Sequence, residues 1–314
     1  MTNYPKLDWK TRLLDRILKL NKPIEDMSLE QLRQVSEQEL SPLTERLFAG
    51  KLIKLERVVE QTVRGRHGDI PIRLYYPSSR ERLPLILFMH GGGWVYGNLQ
   101  THDRLCRRIA KYTRAAIVSI DYRLAPFFKY PAAVEDCYDV LLWITENLPD
   151  LNADPDRLVV MGDSAGGNLA AVLCLMAREQ NLQAIAKQVL IYPVTSGELN
   201  QASVQRNADA PVLSKDRMQC FIDYYAGEPE DVKKPYFSPL VADDLSNLPP
   251  ALIITCEYDV LHDQGVEYAQ RLKEAGNRVE LIDYPGAIHG FISFLPFCKQ
   301  ALPACQEIAK FLAE

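Results

Sequence analysis

Leu158-Val159-Val160-Met161-Gly162-Asp163-Ser164-Ala165-Gly166-Gly167-Asn168-Leu169-Ala170 decides how the rest of this 314-residue chain is read. The apolar, Val-rich opening reads as a buried strand, and Gly162 to Gly166 break it. The Ala/Leu-rich segment Asn168 to Ala177 then reads as a helix. Strand, sharp turn and helix make the geometry of a nucleophile elbow. There the serine backbone is strained, glycines leave room for a crowded main chain, and Ser164 Oγ projects at the head of the helix. A helix N-terminus also offers free N–H groups and a partial positive charge where an oxyanion would form. A plain strand-to-helix turn capped by serine is the alternative, and the rest of the chain has to decide. Gly-Asp-Ser occurs in trypsin-type proteases too, but those are all-β, and here a helix-forming run follows the serine.

Continuous apolar runs stand at Leu85 to Met89, Ala115 to Ile120, Leu158 to Met161, Gln188 to Tyr192, Ala251 to Cys256 and Arg278 to Tyr284. Helical stretches near residues 101 to 113, 131 to 147, 165 to 179 and 263 to 275 separate most of them. This alternation predicts an α/β fold, a mostly parallel sheet covered on both faces. Leu55 to Val63 and Ile70 to Tyr76, around the turn-like Gly65 to Asp69, add an antiparallel hairpin and bring the strand count to eight. Before it, Trp9, Leu13, Leu14 and Ile17 stand at helical spacing, and Ser28 with Gln31 has capping-box form ahead of Leu29 to Leu40. These first 50 residues read as two amphipathic helices, serving either as a lid or as packing on the core. Nearly 60 residues without strand signal separate Tyr192-Pro193 from Ala251, and they contain a helix from Lys215 to Tyr225. A segment inserted there emerges at the C-terminal end of a strand, where α/β folds bind ligands. The last helix, about Gln300 to Leu312, either packs on the core or serves a homodimer interface.

Composition narrows the classes. Hydrophobic residues make up 47% and charged residues 25%, as in soluble globular proteins. A net charge of −5 without a basic block argues against nucleic acid. The opening Met-Thr-Asn-Tyr-Pro-Lys lacks an apolar h-region, and no run approaches a membrane span, so a cytoplasmic placement is expected. Seven cysteines without Cys-x-x-Cys spacing, Cys174 and Cys256 among them, read as reduced and mostly buried thiols. No His-Glu-x-x-His or other ligand cluster supports a metal site, and acid pairs such as Asp243-Asp244 read as exposed loop.

Chemistry gathers at three further places. His90-Gly91-Gly92-Gly93-Trp94 follows the Leu85 to Met89 strand directly. Three glycines in a row are costly in chain entropy unless the backbone needs positive φ or close approach. Main-chain N–H groups here, with that of Ala165, would converge on the carbonyl oxygen of a bound ester. A phosphate cradle lacks its motif, since neither Gly-x-Gly-x-x-Gly nor Gly-x-x-x-x-Gly-Lys-Ser/Thr is present. Serine also needs a base, and there are five histidines. His67 lies in the hairpin turn, His90 braces the glycine loop, His102 starts a helix and His262 follows Asp259 in one turn. His289 remains, in a Pro/Gly loop after the last strand. The acid that orients it is best placed at Asp259, after the Ala251 to Cys256 strand. Glu257 sits too close to the strand, Asp263 enters the next helix and Asp283 is still within a strand. Ser164, Asp259, His289 is the chain order of an α/β-hydrolase.

Together these residues resemble the hormone-sensitive-lipase-like family of α/β-hydrolase esterases. The resemblance rests on His90-Gly91-Gly92-Gly93-Trp94, Asp121-Tyr122-Arg123-Leu124-Ala125-Pro126, Tyr130 to Asp136, Gly162 to Ala170, Ser238-Pro239-Leu240, Leu248 to Ala251 and His289-Gly290-Phe291, from about residue 55 onward. It implies Ser164 as nucleophile, Asp259 and His289 as its partners, and Gly92, Gly93 and Ala165 as oxyanion donors. It also implies a helical cap made of residues 1–50 and 196–238, over a core of 51–195 and 239–314. The implied activity is hydrolysis of short- to medium-chain carboxylic esters of small molecules through an acyl-enzyme, without a cofactor. Amide hydrolysis uses the same triad. A ligand-binding protein on this scaffold would lack the histidine, which is present. Two departures stand out: Phe127-Phe128 where many members carry Glu-His, and Met161 where a glycine often precedes the elbow.

Overall fold

The computed structural model describes residues 4–5, 7–37, 41–79 and 82–314. Eight strands form one sheet: β1 (Arg57–Gly65), β2 (Gly68–Tyr76), β3 (Leu83–Met89), β4 (Ala116–Ile120), β5 (Ala153–Asp163), β6 (Ile185–Ile191), β7 (Ala251–Tyr258) and β8 (Val279–Ile288). Their order is β1-β2-β4-β3-β5-β6-β7-β8. Only β2 runs against its neighbours, pairing antiparallel with β1 and β4, and every other pairing is parallel. The β1–β2 turn is the tight pair Arg66-His67, because Gly65 and Gly68 already pair across the hairpin.

Period-two alternation explains the two apolar layers. In β3, Leu85, Leu87 and Met89 face one core, while Ile86 and Phe88 face the other, all of them buried. The first core is closed by α5 (Ala132–Asn147), α6 (Ala165–Glu179) and α9 (His262–Glu274), through residues such as Val140, Leu173 and Leu272. The second is closed by α4 (Asp103–Thr113) and α10 (Ala301–Ala313), through Ile109, Ile308 and Phe311. The last helix thus packs on the core.

The N-terminal segment holds three helices where the apolar spacing predicts two: α1 (Trp9–Leu18), α2 (Leu29–Glu37) and α3 (Pro42–Ala49). The capping box forms as expected. Gln31 N–H donates to Ser28 Oγ at 3.3 Å, and Ser28 N–H donates to Gln31 Oε1 at 3.0 Å. Residues 38–40, the end of the expected second helix, lie outside the described residues. Pro42 in the first turn of α3, with Ser41 capping Thr44 N–H at 3.1 Å, starts a separate helix there. The segment after β6 carries α7 (Ala202–Arg206) and α8 (Lys215–Tyr225), with Ser214 capping α8. The two helical segments touch: Arg217 of α8 donates through Nε to Glu25 at 3.2 Å.

Candidate active site

Ser164 sits between β5 and α6 at φ +56°, a backbone region that a residue with a side chain enters only under constraint. The crowding around it shows why glycines flank it. A Cβ on Gly162 would stand 2.3 Å from the Gly166 carbonyl carbon, and one on Gly166 would stand 2.0 Å from Met89 O of β3. Hydrogen bonds fix the turn. Ser164 N–H donates to Ile191 O at 2.8 Å, and Ser164 O accepts from Asn168 and Val194 N–H. The Asn168 amide donates to Val194 O at 3.0 Å and Phe237 O at 2.8 Å, locking the helix head to the loop after β6.

The three distant side chains meet. His289 Nε2 is 2.8 Å from Ser164 Oγ, and His289 Nδ1 is 2.6 Å from Asp259 Oδ2. They come from the C-terminal ends of β5, β7 and β8, and all three are buried, Asp259 fully. Asp259 Oδ1 accepts the Leu261 N–H at 2.9 Å, so one carboxylate oxygen is held and the other is aimed at the imidazole. The Tyr192 ring lies 4.6 Å from the His289 ring. The competing acids are engaged elsewhere. Glu257 Oε2 accepts the Gly286 N–H at 2.8 Å, while Asp263 and Asp283 bracket His262.

The glycine loop is built as its composition suggests. Gly92 and Gly93 adopt φ of +122° and +62°. A Cβ on Gly92 would fall 2.0 Å from Tyr96 O, and one on Gly93 would strike the Phe221 ring of α8 at 2.3 Å. Gly92 and Gly93 N–H have no acceptor among the described residues. His90 braces the loop: its Nδ1 lies 2.8 Å from Gly91 O, its ring stacks on Tyr122 at 4.3 Å, and its carbonyl accepts the Tyr122 hydroxyl at 2.6 Å. Burial, helped by the nearby His102, pushes the His90 imidazole down to about 3, so it is neutral and Nδ1–H is the donor to Gly91. Beneath the loop, Asp163 Oδ1 accepts the Gly91 N–H at 3.0 Å and faces His102 Nε2 at 3.4 Å. Its burial opposes ionisation, but His102 and the Gly91 N–H together hold it below the usual carboxylate range.

His67 lies in the hairpin turn, with Nε2 3.1 Å from Glu135. Phe127 and Phe128 line a cleft of about 590 Å3 between α2 and the loop after β4, with Arg33, Arg73 and Asp121. Phe127 lies under the Arg33 guanidinium at 4.5 Å, so the first of the unusual phenylalanines contacts the N-terminal helices. Among the described residues no three His, Cys, Asp or Glu are grouped to hold a metal ion, and no helix is long and apolar enough to cross a membrane.

Residues 86–293 match the family model described as the alpha/beta hydrolase fold. The chain is an α/β-hydrolase of the hormone-sensitive-lipase-like family. This α/β-hydrolase is 42% identical over 244 residues to carboxylesterase NlhH of Mycobacterium tuberculosis, covering 76% of each chain. To ethyl acetate hydrolase of Pseudomonas putida it is 38% identical over 260 residues, covering 81% of this chain and 82% of the other. Among solved structures, the hyperthermophilic esterase of the archaeon Pyrobaculum calidifontis superposes with a TM-score of 0.89 at 41% identity, covering 98% and 97% of the two chains.

Three supports of the α/β-hydrolase site carry no signal in the sequence: Asp163 under Gly91, Phe221 over Gly93, and Asn207, whose amide donates to the main-chain carbonyls of Glu257 and Asp259. Asp163 falls inside the quoted elbow, where its position as the variable residue hides its role. Phe221 and Asn207 reach the site only through the path of the inserted segment.

Proposed function

We propose that the protein is a serine carboxylesterase acting on short- to medium-chain esters of small molecules, with Ser164 as nucleophile, His289 as general base and acid, and Asp259 as its orienting carboxylate. The observation that carries this reading is the unbroken line from Ser164 Oγ through His289 to Asp259, at 2.8 and 2.6 Å. His289 Nε2 takes the serine proton as Oγ attacks the ester carbonyl, and Asp259 steadies the imidazolium that forms. The N–H groups of Gly92, Gly93 and Ala165 receive the oxyanion; the two glycine donors have no other acceptor among the described residues, and Ala165 opens α6. His289 then protonates the departing alcohol, and water repeats the sequence on the acyl-enzyme. Nothing in these steps requires a cofactor.

In this reading residues 1–50 and 196–238 form a cap over a core of 51–195 and 239–314. The Arg217–Glu25 contact joins the two cap segments, and Phe221 closes over the glycine loop. Seven free cysteines, six of them buried, suit the reducing cytoplasm. Ser164→Ala should lower turnover of short p-nitrophenyl esters about 10⁶-fold while circular dichroism stays unchanged, and it should abolish labelling by a fluorophosphonate. Turnover near the parental rate would refute the assignment. A panel of esters from two to sixteen carbons beside a matched amide ranks acyl length and separates ester from amide preference.

A further inference from the structure

The inserted segment between β6 and β7 reaches the acid of the triad from behind. Asn207, immediately after α7, is buried, and its amide Nδ2 donates to two main-chain carbonyls at once: Asp259 O at 2.8 Å and Glu257 O at 3.1 Å. One turn earlier Ser203 Oγ donates to Val260 O at 2.8 Å, while Ser203 N–H donates to Asp263 Oδ2 at 2.7 Å. Asn207 is itself fixed, its N–H on Ser203 O at 2.8 Å and its carbonyl taking the Ala210 N–H. The turn 257–263 is therefore gripped along its length by side chains of one short helix and the residue that follows it.

We infer that Asn207 is a positioning residue for catalysis: by holding the Asp259 and Glu257 carbonyls it sets the Asp259 carboxylate against His289 Nδ1. The inference rests on the proposed triad and adds to it. The two carbonyls it binds flank Tyr258 at the end of β7, where the chain turns to present the Asp259 carboxylate. Asp259 O belongs to the acid itself, and the Glu257 side chain in turn accepts the Gly286 N–H, tying β7 to the end of β8 just before His289. Only a two-donor group reaches both carbonyls, and an asparagine amide supplies two N–H bonds from a single nitrogen. An inserted segment otherwise read as a cover thereby becomes part of the apparatus that sets the reacting geometry.

The test is Asn207→Ala in the full chain, assayed on a p-nitrophenyl ester. Displacing the acid should lower kcat about 10- to 100-fold and leave KM within about twofold. It should also move the acid limb of the kcat/KM profile to lower pH, because an imidazolium with a poorly placed carboxylate loses its proton more easily. The groups facing His289 are Asp259, Ser164 and the Tyr192 ring, and Cys256 Sγ touches Asp259 Oδ2 at 3.3 Å. None of these is altered by the substitution. The far-downfield proton signal of His289 Nδ1–H should weaken in parallel, independently of turnover. A folded Asn207→Ala with parental kcat, acid limb and proton signal overturns the inference, even if its thermal stability falls. Should that variant not fold, Asn207→Leu and Asn207→Val, which fill the space without a donor or a charge, carry the same readouts. Parental values in either overturn it. Parental activity in Ser164→Ala would sink the triad instead, so the two failures are distinguishable.

Discussion

At the scale of single residues, the proposed site is shaped as much by positions with no room for a side chain as by Ser164, His289 and Asp259. Gly92 combines a φ of +122° with a Cβ position only 2.0 Å from a main-chain oxygen, so even alanine forces the loop to shift. Gly92→Ala should lose transition-state stabilisation on the order of one oxyanion donor, roughly 3 to 4 kcal/mol or a few hundredfold in kcat, with the chain still folded. A kinetic comparison at saturating ester checks this, and normal kcat would remove the loop from the mechanism. The meeting of Ser164, His289 and Asp259 and the shape of the glycine loop were legible. Ser164, His289 and Asp259 follow from their places after predicted strands, and the glycine run from its entropic cost. Asp163, Asn207 and Phe221 were not, because their roles arise from through-space contacts to main chain that no local spacing encodes.

Among the elements, the junction of β7, α9 and β8 holds a charge cluster beside Asp259, the proposed acid. His262 Nε2 lies 3.4 Å from Asp283 of β8, and Nδ1 lies 2.7 Å from Asp263, which also pairs with Arg206 after Ser203 of α7. The bond to Asp283, against opposing burial, and then that to Asp263 raise the His262 imidazole to about 8. A histidine raised in the folded state contributes stability that is complete below its unfolded value of about 6.5 and lost as pH rises through about 8. The shift corresponds to about 2 kcal/mol. Urea unfolding should accordingly show lower stability at pH 9 than at pH 6, and His262→Gln should erase the part of that difference due to this cluster. An unchanged difference in the variant would discount the clamp. The central strands were legible from apolar runs because they are buried on both faces, as β3 and β4 are throughout, while the edge strands β1 and β8 were legible from alternation and position. The N-terminal region was read less well: Pro42 opens a third helix beyond Leu40, where the expected second one ends.

For the whole molecule, the question is how the N-terminal helices stay attached to the sheet. Leu14 of α1 and Leu32 of α2 are buried in the two cores, and a buried ion pair holds α3. Arg104 of α4 meets Glu45 of α3 at 3.0 Å and donates to Gly50 O at 2.9 Å, and Gln100 adds a close contact to the same carboxylate. Arg108 bridges Ala49 O and Ile292 O, joining this segment to the chain just beyond His289. Glu45→Ala leaves the Arg104 cation buried without its partner and should destabilise the fold by about 3 kcal/mol, read as a shift in the urea midpoint. A loss under about 1 kcal/mol would mean that the pair behaves as a solvated one. The main-chain bend at Ser164 has a bearing on the same quantity. Holding an L-residue at +56° costs about 1 to 3 kcal/mol, and glycine would sit there without that penalty. Among descendants of such a chain, the inert ones are free to become the sturdier, and wear resistance and turnover are set against each other at a single peptide unit.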